Sequence, residues 1–281
     1  MRESSNPVFR SLPKEQQGGY AQFGTGAAGY GAQAVHADPY VAQQYPDQQQ
    51  AGVSRPLTID DVVTRTGITL AVVTAVAAVS YFMVDANQGL LFPLFLIGSL
   101  GGLGVLLLAM FGRKQDNPAI VMTYAAFEGL FLGSASYLFA NLVSTGGPAM
   151  IFQAVVGTLG VFFGMLVVYR TGAIRVTPKL TRMIVAGMFG VLALALVNIL
   201  FAVFTGNAPL TNGGPLAIGF SLLCIALAAF SFLIDFDAAD QMIRAGAPEK
   251  AAWGIALGLT VTLVWLYIEI LRIVAILRGN D

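Results

Sequence analysis

Four acids fall inside apolar stretches of this chain: Glu128, Asp235, Asp237 and Glu269. A charge at the centre of a bilayer costs about 2.5–3.5 kcal/mol on insertion scales, so such residues face a bundle interior or water and mark ion or proton pathways. Hard cations take oxygen ligands, and the Thr262 hydroxyl adds a fifth candidate donor to the four carboxylates. Two carboxylates in one low-dielectric chamber cannot both ionise cheaply. One of them would then carry a proton and act as a gate.

Depth follows from helical rise. Glu128 lies ten residues past Pro118, or about 15 Å into its span at about 1.5 Å per residue. Its alternative role is a protonated acid bonded between helices. Asp235 and Asp237 are about 200° apart on a helix and point to opposite sides, whereas Asp237 and Asp240 share a face. Asp237 sits about 10 Å inside Arg244 along the helix. The alternative for these aspartates is a hydrated helix end. Glu269 lies about 27 Å past Ala251, with Arg272 at i+3 to pair with it. Counting outward from the turn at 247–250 puts Asp237 level with about Thr262, and Glu269 about 10 Å beyond. Glu128 is nearer to Asp237 in depth, so those two are expected to share a cavity.

Other chemistries find little support. The only histidine is His36, near the N-terminus, and the only cysteine is Cys224. No Ser–His dyad can therefore form among the apolar segments, and a Cys/His metal site is not expected. A di-aspartyl protease would need a second membrane aspartate opposite Asp237. Neither a nucleotide loop nor a metal triad is visible. The expectation is a non-enzyme without a cofactor. A net charge of zero gives no reason to expect nucleic acid as a partner.

The elements that position these acids are long and apolar. Charged residues make up 11% and hydrophobic residues 56% of the 281 residues, and mean hydropathy is +0.73. A soluble domain carries about 25% charged residues. A span needs about 20 apolar residues. Seven segments qualify, at about 66–84, 90–111, 118–142, 147–169, 182–205, 215–245 and 251–277. Turn chemistry separates them: "DANQG", "GRKQDNP", "STGGP", "TGNAPLTNGGP" and "GAPEK". Thr58 with Asp61 three residues on forms a capping box ahead of the first span. Glycines in "GSLGGLG", "GLFLG" and "GTLGVFFG" are expected to let helices approach closely in lipid.

Residues 1–56 are rich in Gly, Ala, Gln, Tyr and Pro and lack aliphatic clusters. They are expected to be a disordered cytoplasmic tail, with spaced tyrosines as contacts for a membrane-protein partner. Residues 57–281 form the membrane domain. No apolar stretch of signal-peptide length occurs in the tail. Thirteen Lys and Arg residues fall in the N-terminal region and the second, fourth and sixth connections, while the first, third and fifth have none. Positive residues stay inside, so a multi-pass protein of the plasma membrane with a cytoplasmic N-terminus is expected. Arg272 and Arg278 oppose the outside C-terminus that seven spans require; a re-entrant last segment would reconcile them.

The pattern resembles the Bax inhibitor-1 family in its bacterial branch. The matching pieces are "TYAAFEGLFLGS", "AVVGTLGVFFGMLVVY", "ALVNILF", "FSFLIDFDAADQM" and "LVWLYIEILRI", in the family's order from about residue 58 to the end. The Gly/Tyr/Gln-rich leader is similar to the actinobacterial form. The resemblance implies an all-α bundle of seven transmembrane helices, with six around a central seventh. It also implies a pH-sensitive calcium leak and links to stress survival or membrane-protease control. The family's sensor is an aspartate pair in the sixth and seventh spans. The first of these falls on Asp237 and the second on about Thr262, which is not an acid. Glu128 or Glu269 then supplies the missing carboxylate, and depth favours Glu128. Calcium or protons are the expected ligands, with a regulator of other membrane proteins as the alternative role.

Overall fold

The computed structural model describes residues 55–142, 147–211 and 213–279. The expected tail lies outside the described residues, apart from its last two. Seven helices follow in order: α1 Ile59–Ala86, α2 Leu91–Phe111, α3 Pro118–Leu142, α4 Gly147–Thr171, α5 Pro178–Thr205, α6 Pro215–Arg244 and α7 Ala251–Gly279. All seven are long and apolar enough to cross a membrane. In such a bundle each helix satisfies its own backbone polar groups, as hydrocarbon demands.

Local chemistry sets the boundaries. Thr58 caps α1, and the reciprocal bonds with Asp61 complete the expected capping box. Thr177 caps α5 at the Leu180 amide, Pro178 follows it, and Gly206 closes the helix at φ 68°. The left-handed position after a helix favours glycine because a Cβ there is strained. The first and fifth helices begin earlier than the apolar runs, at residues 59 and 178 against expected 66 and 182. Caps, rather than hydropathy, determine where those helices start.

Helix α7 is the most buried span and touches α1, α3, α4 and α6. The central seventh helix is therefore present, but its ring consists of four helices. Helix α2 packs on α3, and α5 packs on α6, giving an outer layer with many lipid-facing side chains such as Phe92, Leu100, Phe189 and Val203. The main core joins α4, α6 and α7. Its Phe162, Phe232 and Phe236 rings meet at centroid distances of 5.3–6.0 Å.

The glycine motifs divide. A Cβ at Gly98 of α2 would lie 2.4 Å from the Phe131 nitrogen of α3, and one at Gly133 of α3 would lie 2.3 Å from the Ala77 carbonyl oxygen of α1. Those two motifs are close-approach seams, as expected in lipid. The α4 motif differs: Gly157 approaches Ile270, but a Cβ at Gly160 or Gly164 would meet nothing within 4 Å. The expectation of tight packing fails for those two glycines because they lie on the face of α4 turned away from its neighbours.

Candidate functional site

On α6, one turn of helix sends two aspartates to different environments. Asp235 faces α7, where its Oδ2 accepts a hydrogen bond from the Thr262 hydroxyl at 2.7 Å. The same hydroxyl lies 3.3 Å from the Gly258 carbonyl on its own helix. A hydroxyl has one proton to donate, and the shorter contact directs it to Asp235. Asp235 is partly buried beside Leu233 and Phe236, which are fully or nearly fully buried. Its hydrogen-bond partner is a neutral hydroxyl, not a cation.

Asp237 takes the other side. Its Oδ2 accepts from Gln241 Nε2 at 2.6 Å on an exposed part of the same helix. Asp240 pairs with Arg244 at 2.7 Å and accepts from the Tyr169 hydroxyl at 3.3 Å. Asp237 and Asp240 thus form the polar end of α6. The expectation that Asp237 stands opposite Thr262 is corrected: Asp235 holds that place. The turn between α6 and α7 centres between Pro248 and Glu249, and Asp235 and Thr262 are equally far from it.

Glu128 belongs to a separate seam. Its carboxylate lies over Gly102 of α2, where a Cβ would come within 2.9 Å of Oε1. The Tyr124 hydroxyl, one turn back on α3, is its polar neighbour. Tyr124 itself is buried with Ala109, Val121 and Leu257. Central α7 touches both the α3 that carries Glu128 and the α6 that carries the aspartates. The expected chamber shared by Glu128 and Asp237 does not form. Asp237 turns to the exposed side of α6, while Glu128 turns to α2.

Glu269 is 6% exposed and forms an ion pair with Arg272 on its own helix. Arg272 also donates from Nε to Ser221 Oγ at 2.9 Å, and its guanidinium lies 5.3 Å over the Phe220 ring. The pair expected from the i+3 spacing is present, and it pins α7 to α6. Glu269 thus meets α6 through Arg272, which bridges its carboxylate to Ser221.

Two polar groupings escaped the sequence reading. Ser136 of α3 and Tyr267 of α7 share a hydrogen bond of 2.8 Å; no spacing rule announces a pair 131 residues apart. The second joins the start of the chain's described part to the α6–α7 turn. Arg55 binds Asp61 through two nitrogens at 2.6 and 3.1 Å and reaches Glu249 at 3.2 Å. Its hydrogen bond to Asp61 pushes the Arg55 pKa above the ordinary arginine value. Arg65 bonds both the carboxylate and the backbone carbonyl of Glu249 and lies 5.4 Å over Trp253. Backbone bonds from Leu57 to Ala247 and from Glu249 to Arg55 complete this strap. The excess of basic residues near the N-terminus was visible, but not their partner 184 residues on.

A family model described as Bax inhibitor 1 like matches residues 6–279. No curated protein matches the chain.

Proposed function

The chain belongs to the Bax inhibitor 1 like family, and from that premise we propose that this multi-pass membrane protein is a pH-modulated cation leak with Asp235 and Thr262 at its control point. The observation that carries this reading is the 2.7 Å bond between them across α6 and α7. It places a carboxylate within the spans whose direct partner is neutral. Such an acid is costly in hydrocarbon, and acids retained within spans face the bundle interior or water and mark ion or proton pathways. Its oxygens, with the threonine hydroxyl, suit a hard cation such as calcium.

The control follows from one proton. Ionised Asp235 attracts a cation and accepts from Thr262. Acidification neutralises it, and both interactions weaken. Thr262 does not titrate in this range, so within the pair Asp235 alone carries the response. Asn at 235 keeps the shape and approximates the neutral state.

The experiment is calcium flux into dye-loaded liposomes between pH 5.5 and 8. The parent should show a pH-dependent flux, and Asp235→Asn a flux that no longer varies with pH. Asp237→Asn should follow the parent within about twofold. A D235N curve identical to the parent's would remove Asp235 from the mechanism.

The distribution of basic residues supports a cytoplasmic N-terminus, by the positive-inside rule. A second reading, a non-transporting regulator of stress response or of a membrane protease, draws on the strap at Arg55–Leu57. The strap holds Arg55 and Leu57 against the α6–α7 turn.

A further inference from the structure

The connection between α4 and α5 carries positive charge with nothing to answer it. Arg170, Arg175, Lys179 and Arg182 are all exposed, and none of them forms an ion pair. No acid occurs in the sequence between Glu128 and Asp235. Elsewhere among the described residues the pattern differs. Arg55, Arg65, Arg244 and Arg272 each hold a carboxylate, and Arg113, Lys114 and Lys250 have Asp116 or Glu249 within three residues. The acids that face this end of α4 belong to α6, and they are engaged: Asp240 with Arg244 and Asp237 with Gln241. Tyr169 donates to Asp240, but Arg170, one residue on, is turned about 100° away. We propose that this basic connection is a binding surface for the headgroups of anionic phospholipids in the leaflet that borders it.

The helices beneath aim the charge. Arg170 lies 3, 7 and 18 residues past Val167, Phe163 and Phe152, spacings that share one helix face, and all three are exposed. On α5, Arg182 precedes Val185, Phe189 and Leu192 by 3, 7 and 10 residues, and these too are exposed. In a membrane such side chains face acyl chains. Each arginine therefore stands at the head of a lipid-facing stripe, at the end where α4 finishes and α5 begins. Long basic side chains lay their stems on apolar surface and hold the charged head at the interface, where lipid phosphates lie. Lys179 comes one turn before Arg182, and Arg175 sits in the turn between the helices.

The positive-inside bias accounts for the sign of this connection. Exposure above the stripes and the lack of any local acid leave it free to bind. An acidic protein is the less suited partner, because the lipid-facing stripes put headgroups, not bulk solvent, beside Arg170 and Arg182. A basic side chain near an anionic membrane surface strengthens association about fivefold. This inference is independent of cation conduction.

The test is native mass spectrometry of the full chain in detergent, titrated with phosphatidylglycerol or with phosphatidylcholine of the same acyl chains. The parent should bind the first phosphatidylglycerol at least tenfold more tightly than the first phosphatidylcholine. The double variant Lys179→Gln, Arg182→Gln should lower that preference at least fivefold. Arg113→Gln, Lys114→Gln removes the same charge at the α2–α3 connection and should change it less than twofold. The exchanged pair Lys179→Arg, Arg182→Lys should keep it, since charge is what is read. Monodisperse elution checks that each variant is folded. The proposal is overturned if the parent binds both lipids equally, or if the two Gln variants lose the preference alike, which would mark a response to total charge. It is also overturned if the exchanged pair loses as much as K179Q/R182Q. An acidic protein that elutes with the parent in stoichiometric amount and is lost from K179Q/R182Q, while the lipid preference stays, would overturn it in favour of a protein partner.

Discussion

Two residues of chain separate Asp235 from Asp237, and that offset of about 200° gives them different work. Asp235 meets Thr262 of the central helix, and Asp237 accepts from Gln241 of its own. The flux comparison above is therefore a test of direction as much as of charge. The acid at 269 has a different role. Removing one partner from a buried ion pair leaves the other charge stranded and typically costs about 3–5 kcal/mol. Glu269→Gln should lower the thermal unfolding midpoint in detergent markedly, because Arg272 keeps its charge between Ser221 and Phe220. The double variant Glu269→Gln, Arg272→Met should recover most of the loss. If E269Q unfolds with the parent, the pair contributes nothing to holding α6 on α7.

At the level of elements, close approach decides which glycines matter. A methyl group at Gly133 would press on the Ala77 carbonyl and on Ser80 of α1. The neighbouring Ser80 also donates across this seam to the Leu130 carbonyl at 2.9 Å. Gly133→Ala should destabilise the bundle by about 1–3 kcal/mol, the usual range for overpacking. Gly160→Ala on α4 meets open space and should be neutral or stabilising by up to about 1 kcal/mol, from the helix propensity of alanine. Thermal melts of the two variants in one detergent check the contrast. Equal melting points would show that the α1–α3 seam yields freely.

Across the whole molecule, the strap joins the beginning of the described chain to the turn that fixes the level of Asp235 against Thr262. Leu57 is 3% exposed in the main core, and its amide donates to the Ala247 carbonyl at 2.8 Å. Glu249 holds both Arg55 and Arg65. Its replacement by Gln should loosen the strap while leaving the spans in place. Amide exchange at Leu57 should rise about tenfold, equivalent to about 1.4 kcal/mol, with little change at the Leu259 and Leu266 amides of α7. Unchanged exchange at Leu57 would mean that the backbone bonds alone hold the strap.

The sequence by itself determined seven membrane helices and almost all their ends. About 20 apolar residues and a turn suffice to specify a span that satisfies its own backbone, and Thr58 with Asp61 carried its capping box in plain view. The spacing of Glu269 and Arg272 likewise announced a pair, since i+3 neighbours meet on any helix. What only the tertiary structure decided was which acid faces which helix. Glu128 and Asp237 look alike in depth, but rotation about the helix axis and the choice of neighbour send one toward α2 and the other to an exposed surface. Apolar content is nearly uniform around these helices in a membrane, so it leaves little record of which side faces α7. That is also why the Ser136–Tyr267 bond and the Arg65–Glu249 pair became visible only once the helices were packed together.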